Sequence, residues 1–253
     1  MGLPDAFSRS VPCSDILEDM WFNRTMSALK LFAVLGVLFL AACTDSTPTP
    51  VPTPRSIRYL ALGDSYTIGQ SVAENERWPN QLAAALSDEG VQTEVTIIAR
   101  TGWTTDELLQ GIQANPPQGT YDLVSLLIGV NNQYRGYDVD GYREQFRTLL
   151  GKSIEYAGGN PDHVIVLSIP DWSVTRFAMG MRADVISKEI GIFNAVNREE
   201  TESAGAHYVD ITPISQQALG DLSLIASDGL HPSEKMYKLW VEKALPTVLG
   251  IFN

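Results

Sequence analysis

The sequence predicts an α/β domain, with a five-stranded parallel sheet as the middle layer of a three-layer α/β/α arrangement. Two observations predict it. From Arg58 onward, short apolar runs alternate with longer segments of helical period, the pattern of βαβ units. The third and fourth of those runs are almost continuously apolar, as expected for strands covered on both faces.

The chain has 253 residues, is 44% hydrophobic and 19% charged, and so allows one ordinary globular domain plus some non-globular sequence. No internal repeat or second domain is visible. With 30 acidic against 18 basic residues the net charge is -12, which repels phosphate backbones and makes nucleic acid an unsuitable partner. The two cysteines, Cys13 and Cys43, both precede the folded body. Disulfides, cysteine zinc sites and thiol catalysis are therefore not expected there.

Residues 1–43 read as an N-terminal extension and signal peptide. Leu31 to Ala42 is an apolar run too short to span a bilayer comfortably, preceded by Lys30 and ended by Ala41 and Ala42. Asp15, Glu18 and Asp19 stand where such a peptide wants positive charge, and Met26 would make a more conventional start. Leu40-Ala41-Ala42-Cys43 resembles the bacterial lipobox, after which Cys43 would carry diacylglycerol and become the new N-terminus. With Thr44 next to Cys43, outer-membrane placement resembles the usual sorting outcome. The expectation is an exported lipoprotein of the cell envelope, joined to a membrane through Cys43 only. Residues 44–56, rich in proline and threonine, favour extended polyproline conformations and would act as a stalk.

The domain is expected over 57–253. Its strands are placed at Ile57 to Leu62, Glu94 to Ala99, Leu123 to Ile128, His163 to Ile169 and His207 to Ile211. Pro79 suits a first helical turn before Leu82, Ala85 and Leu86, and Thr104 with Glu107 forms a capping box before Leu108 and Ile112. Tyr142, Phe146, Leu149 and Leu150 make the next apolar stripe, then Ile186, Ile190 and Phe193. The last is Met236, Leu239, Trp240 and Ala244, after His231-Pro232-Ser233.

In a parallel sheet, ligands bind outside the carboxyl ends of the strands. The residues following each strand form a set suited to acyl transfer: Gly63-Asp64-Ser65-Tyr66, Gly102-Trp103, Gly129-Val130-Asn131-Asn132 and Pro170-Asp171-Trp172, with Asp228-Gly229-Leu230-His231 before the last helix. Of the three histidines, His163 and His207 fall at the amino ends of strands, on the edge opposite Ser65. His231 is left to act as base, and Asp228, three residues earlier, is close enough to hold the imidazole in the tautomer that receives the serine proton.

Gly63-Asp64-Ser65-Tyr66, Gly102, Gly129-Val130-Asn131 and Asp228-Gly229-Leu230-His231-Pro232 resemble, in order, the four sequence blocks of the GDSL or SGNH hydrolase superfamily, over the whole body from about Arg58. The resemblance implies a flavodoxin-like fold and esterase or lipase-type activity with no metal or other cofactor. It implies Ser65 as nucleophile, with Asp228 and His231 completing a catalytic triad. It also implies an oxyanion hole made by the backbone N–H groups of Ser65 and Gly102 and the side-chain amide of Asn131. The pattern departs at Asn132, where Asp is common, and at Tyr66, where many members have Leu; these bear on the support of Asn131 and the acyl pocket.

The expected reaction is hydrolysis of carboxylic esters, small-molecule, glycan or lipid, through an acyl-enzyme on Ser65. Short or O-acetyl chains are favoured because no segment is long enough to be a large lid. Alternatives are a lysophospholipase or thioesterase-type hydrolase, and a non-catalytic surface lipoprotein. The expected pocket walls are Tyr66, Trp103, Asn132, Tyr134, Trp172 and Phe177, several of which could equally be satellite core.

Overall fold

The computed structural model describes residues 55–252. The expected signal peptide, Cys43 and the stalk up to residue 54 lie outside the described residues. Arg55 and Ser56, read from the sequence as the end of the stalk, already pair with Val91 and Gln92. The first strand therefore starts earlier than its apolar run, because ladder bonds need only backbone groups.

Five strands form one sheet: β1 (Arg55–Gly63), β2 (Val91–Ala99), β3 (Leu123–Leu127), β4 (Val164–Leu167) and β5 (His207–Val209). Every pairing is parallel, in the order β2-β1-β3-β4-β5. Three strands are shorter than their apolar runs: β3 stops one residue before Ile128, and at β4 and β5 side-chain acceptors are the reason. Ile169 N–H donates to Asn194 Oδ1 at 2.7 Å rather than to the ladder. Ser168 Oγ accepts from the N–H groups of Ile211 at 2.8 Å and Thr212 at 3.0 Å, which ends β5.

The helices are α1 (Ser65–Ile68), α2 (Trp78–Asp88), α3 (Thr105–Ala114), α4 (Val130–Tyr134), α5 (Val139–Tyr156), α6 (Ala183–Ser203), α7 (Thr212–Gln216) and α8 (Glu234–Phe252). Glu107 accepts from the Thr104 N–H at 2.9 Å at the start of α3, as the capping pattern predicts. Helix α2 packs on α8, and α3, α5 and α6 pack in succession, which supplies two covering layers. β3 and β4 are buried along their whole length, and Trp78, Trp240, Tyr59 and Phe146 are fully enclosed between sheet and helices. At about 1.5–3 kcal/mol for each large apolar side chain removed from water, this interior gives the loops at the sheet edge a rigid base.

The connection leaving β1 leads to β2 on one side, whereas the connection leaving β2 returns past β1 to β3 on the other. The strand order thus reverses between β1 and β3, and a crevice opens at their carboxyl ends. Ser65 follows β1 there, and Asn131 follows β3.

Candidate active site

The turn after β1 is built around three small or polar residues. A Cβ on Gly63 would lie 2.2 Å from Thr67 Oγ1 and 2.4 Å from the Leu127 carbonyl oxygen, so only glycine lets α1 press against β3. Asp64 caps α1 by accepting from the Tyr66 N–H at 3.0 Å. Its carboxyl is fully buried, and that burial pushes its pKa up to about 7 against the opposing backbone hydrogen bonds. Ser65 follows at the first position of α1 and is 5% exposed.

The second component is the loop before α8. Asp228 Oδ1 accepts from the N–H groups of Leu230 at 2.9 Å and His231 at 3.0 Å, and Gly229 supplies the positive φ of 77° that the tight turn needs. Asp228 Oδ2 lies 2.6 Å from His231 Nδ1 and accepts from Ser71 Oγ at 2.6 Å. Partial burial would raise the Asp228 carboxyl, but the Ser71 hydroxyl, the two backbone N–H groups and the His231 ring outweigh it. The group is held well below the usual carboxylate range. An ionised carboxylate can only accept, so Nδ1 carries the proton and Nε2 is left as the acceptor. The His231 ring is buried against Tyr66, centroids 5.6 Å apart.

The third component holds hydrogen-bond donors. Asn131 Nδ2 donates one hydrogen to the Trp103 carbonyl at 2.9 Å, which fixes the amide and leaves its second N–H. Arg135 Nη2 donates to the Gly102 carbonyl at 2.6 Å while Nη1 pairs with Glu107 at 3.2 Å, anchoring that peptide. Gly102 has φ 85°, and a Cβ there would meet only Arg135 Nη2, at 3.7 Å. Within the protein it is the left-handed backbone, not crowding, that calls for glycine.

Ser65, Gly102, Asn131 and His231 line one cleft of about 160 Å³, together with Tyr66, Tyr134, Trp172 and Phe177. Thr101, Val130 and Leu230 also line it and were not among the expected pocket walls. Two expected walls are corrected. Asn132 is fully buried, with Oδ1 accepting from the Thr105 N–H at 3.0 Å and Nδ2 donating to Thr105 Oγ1 at 2.7 Å, so it ties α4 to α3 instead of facing the cleft. Trp103 lies over Gly111 of α3, where an added Cβ would come within 2.2 Å of its ring. The choice between pocket and core for Trp172 resolves as both: it lines the cleft, yet is 4% exposed and donates from Nε1 to Gln133 Oε1 at 2.9 Å. Its ring packs on Tyr134 (5.6 Å) and Phe177 (5.9 Å). Ser71 was also missed, because 157 residues separate it from Asp228. His163 and His207 lie at the amino ends of β4 and β5, away from this edge.

Residues 61–239 match the model of the GDSL-like lipase/acylhydrolase family. Among solved structures, TesA is similar with a TM-score of 0.62 at 18% identity, the match covering 77% of this chain and 99% of that one. The psychrotrophic esterase EstA from Pseudoalteromonas sp., inhibited by monoethylphosphonate, gives 0.61 at 18% identity, over 78% and 98%. The acetylxylan esterase Axe2 from Geobacillus stearothermophilus gives 0.60 at 19% identity, over 78% and 96%. At these identities the likeness is one of fold. A search of curated proteins gave no match.

Proposed function

Because the chain belongs to the GDSL-like lipase/acylhydrolase family, and is thus a carboxylic ester hydrolase, we propose that it cleaves short-chain acyl or O-acetyl esters through an acyl-enzyme on Ser65. The observation that carries this reading is the meeting in one cleft of Ser65, Gly102, Asn131 and His231, with Asp228 2.6 Å behind the imidazole. In acylation, Ser65 Oγ forms a bond to the ester carbonyl carbon as its proton passes to His231 Nε2. Asp228 holds the ring and stabilises the imidazolium. The oxyanion is met by the N–H groups of Ser65 and Gly102 and by the free Asn131 amide hydrogen. The bond to the alcohol oxygen then breaks, and that oxygen takes the proton from His231. Water repeats the sequence in deacylation, giving a carboxylic acid and returning the proton to Ser65.

Cleft size supports the short acyl group. An apolar cavity of about 150 Å³ accommodates a molecule the size of benzene, and this cleft is comparable. A longer-chain, lysophospholipase or thioesterase-type reading has one observation in its favour: Phe177, Met179 and Met181 are exposed along the segment beside the cleft and could extend an apolar track. The deciding experiment compares kcat/KM for aryl esters from acetate to laurate, with Ser65→Ala as control. Highest kcat/KM among the short acyl chains and no turnover by Ser65→Ala are expected. A maximum at eight carbons or longer overturns the short-chain reading, and retained turnover in the variant overturns the acyl-enzyme. We propose further that Cys43 is lipidated and tethers the domain to the cell envelope, on the strength of the Leu40-Ala41-Ala42-Cys43 pattern.

A further inference from the structure

We propose that Ser71 is a positioning residue of the hydrolytic site, its hydroxyl fixing the Asp228 carboxylate, and through it the His231 ring, relative to the segment that carries Ser65. The inference rests on Ser65, His231 and Asp228 acting together as the catalytic triad.

Three observations meet at Ser71. Its Oγ donates to Asp228 Oδ2 at 2.6 Å, and that same oxygen faces His231 Nδ1 at 2.6 Å. Among the described residues Ser71 is the one non-glycine with a positive φ, 70°. A side chain makes that conformation costly, so the backbone alone would assign the position to glycine, and strain of this kind concentrates where a side chain must be aimed. The turn is also fastened to the nucleophile. α1 ends at Gly69, and Gln70 N–H donates to the Ser65 carbonyl at 3.0 Å. One residue later the Ser71 side chain reaches Asp228. Two hydrogen bonds therefore connect the nucleophile's own backbone to the acid–base loop across 157 residues of sequence.

Sharing Oδ2 between two donors has a chemical effect. Ser71 sets the plane of the carboxylate so that Oδ2 faces the ring, and it draws off part of the charge that would stabilise an imidazolium. Without the hydroxyl, the carboxylate is freer to turn, and when it faces the ring it favours the protonated ring more strongly. Of the other titratable groups, Tyr66 at α1 and Tyr237 of α8 feel the charge of Asp228; Asp64 at α1 also acts on both tyrosines, Asp171 after β4 on Tyr66 and Arg77 before α2 on Tyr237. Arg176 adds its side chain against Gly229. All of them are left in place when Ser71 is replaced.

The test compares full-length Ser71→Ala and Ser71→Gly with the wild type, measuring kcat, KM and the pH profile of kcat/KM on phenyl acetate. Glycine relieves the strained backbone and alanine does not, so a purely structural Ser71 predicts that Ser71→Gly matches or exceeds the wild type. If the hydroxyl positions Asp228, both variants lose about 3- to 10-fold in kcat with little change in KM, the size of one ordinary hydrogen bond. The acidic limb of their profiles also moves to higher pH. In an Asp228→Asn background the Ser71→Gly change should have no further effect on that limb. A wild-type kcat with an unmoved acidic limb in Ser71→Gly overturns the proposal, as does a limb shift that persists in the Asp228→Asn background. Ser65→Ala and His231→Ala are run alongside. Turnover retained in either refutes the catalytic reading itself, whereas their inactivity together with a wild-type Ser71→Gly refutes only the role of Ser71.

Discussion

Asp64 carries a cost that its neighbours do not share. It is buried, its Oδ2 has no hydrogen-bond partner among the described residues, and its pKa is raised from 3.8 to about 7. The unfolded carboxyl gives up its proton at lower pH than the folded one. The stability contributed by the protonated form is therefore complete below pH 3.8 and lost as pH rises through about 7. Asp64→Asn keeps an acceptor for the Tyr66 N–H and removes the titration. Its advantage over the wild type in urea midpoint should widen from pH 4 to pH 7, about the interval between the two pKa values, and then stay level. A difference that does not vary with pH counts against the raised pKa. The sequence made Ser65, Gly102, Asn131 and His231 visible as one group because each sits in a short block of distinctive neighbours. The burial of Asp64 and the reach of Ser71 depend on residues far along the chain, which no local pattern announces.

Among the elements, the long helices were legible because a stripe such as Tyr142, Phe146, Leu149 and Leu150 repeats over enough turns to show its period. Helices α1, α4 and α7 have 4, 5 and 5 residues, less than two turns each, and show none. Yet α1 and α4 present Ser65 and Asn131. The start of α4 depends on Gly129, whose φ is 124° and where a Cβ would lie 2.4 Å from Tyr142 Oη and 2.8 Å from Ile169 Cδ1. Both contacts are side chains of the packed interior. Gly129→Ala should cost about 2–5 kcal/mol from strain and overpacking together, seen as a lower urea midpoint, and should displace Asn131 enough to lower kcat. A midpoint within about 0.5 kcal/mol of the wild type would show that the interior yields there.

For the whole molecule, alternation of apolar runs and helical segments was enough for a parallel α/β sheet. The strand order was implied only by resemblance, since local patterns do not say which strands are neighbours. The tether is the part to be tested at this scale. If Cys43 is lipidated, each buried methylene of the anchor contributes about 0.8 kcal/mol, and Cys43→Ser should move the protein from the detergent phase to the aqueous phase on partitioning. Unchanged partitioning would remove the anchor. The joining of distant segments has a consequence in time as well. Arg55 Nη1 donates to the Phe252 carbonyl at 2.6 Å, holding the end of α8 to the start of β1, and Ser71 reaches Asp228 in the site, so both contacts join residues far apart along the chain. Contacts of such separation form late. A nascent polypeptide emerging amino end first would expose its nucleophile and oxyanion donors a hundred residues or more before its base. Hydrolytic competence would then arrive only with the docking of α8, making onset of turnover a clock for completion of folding.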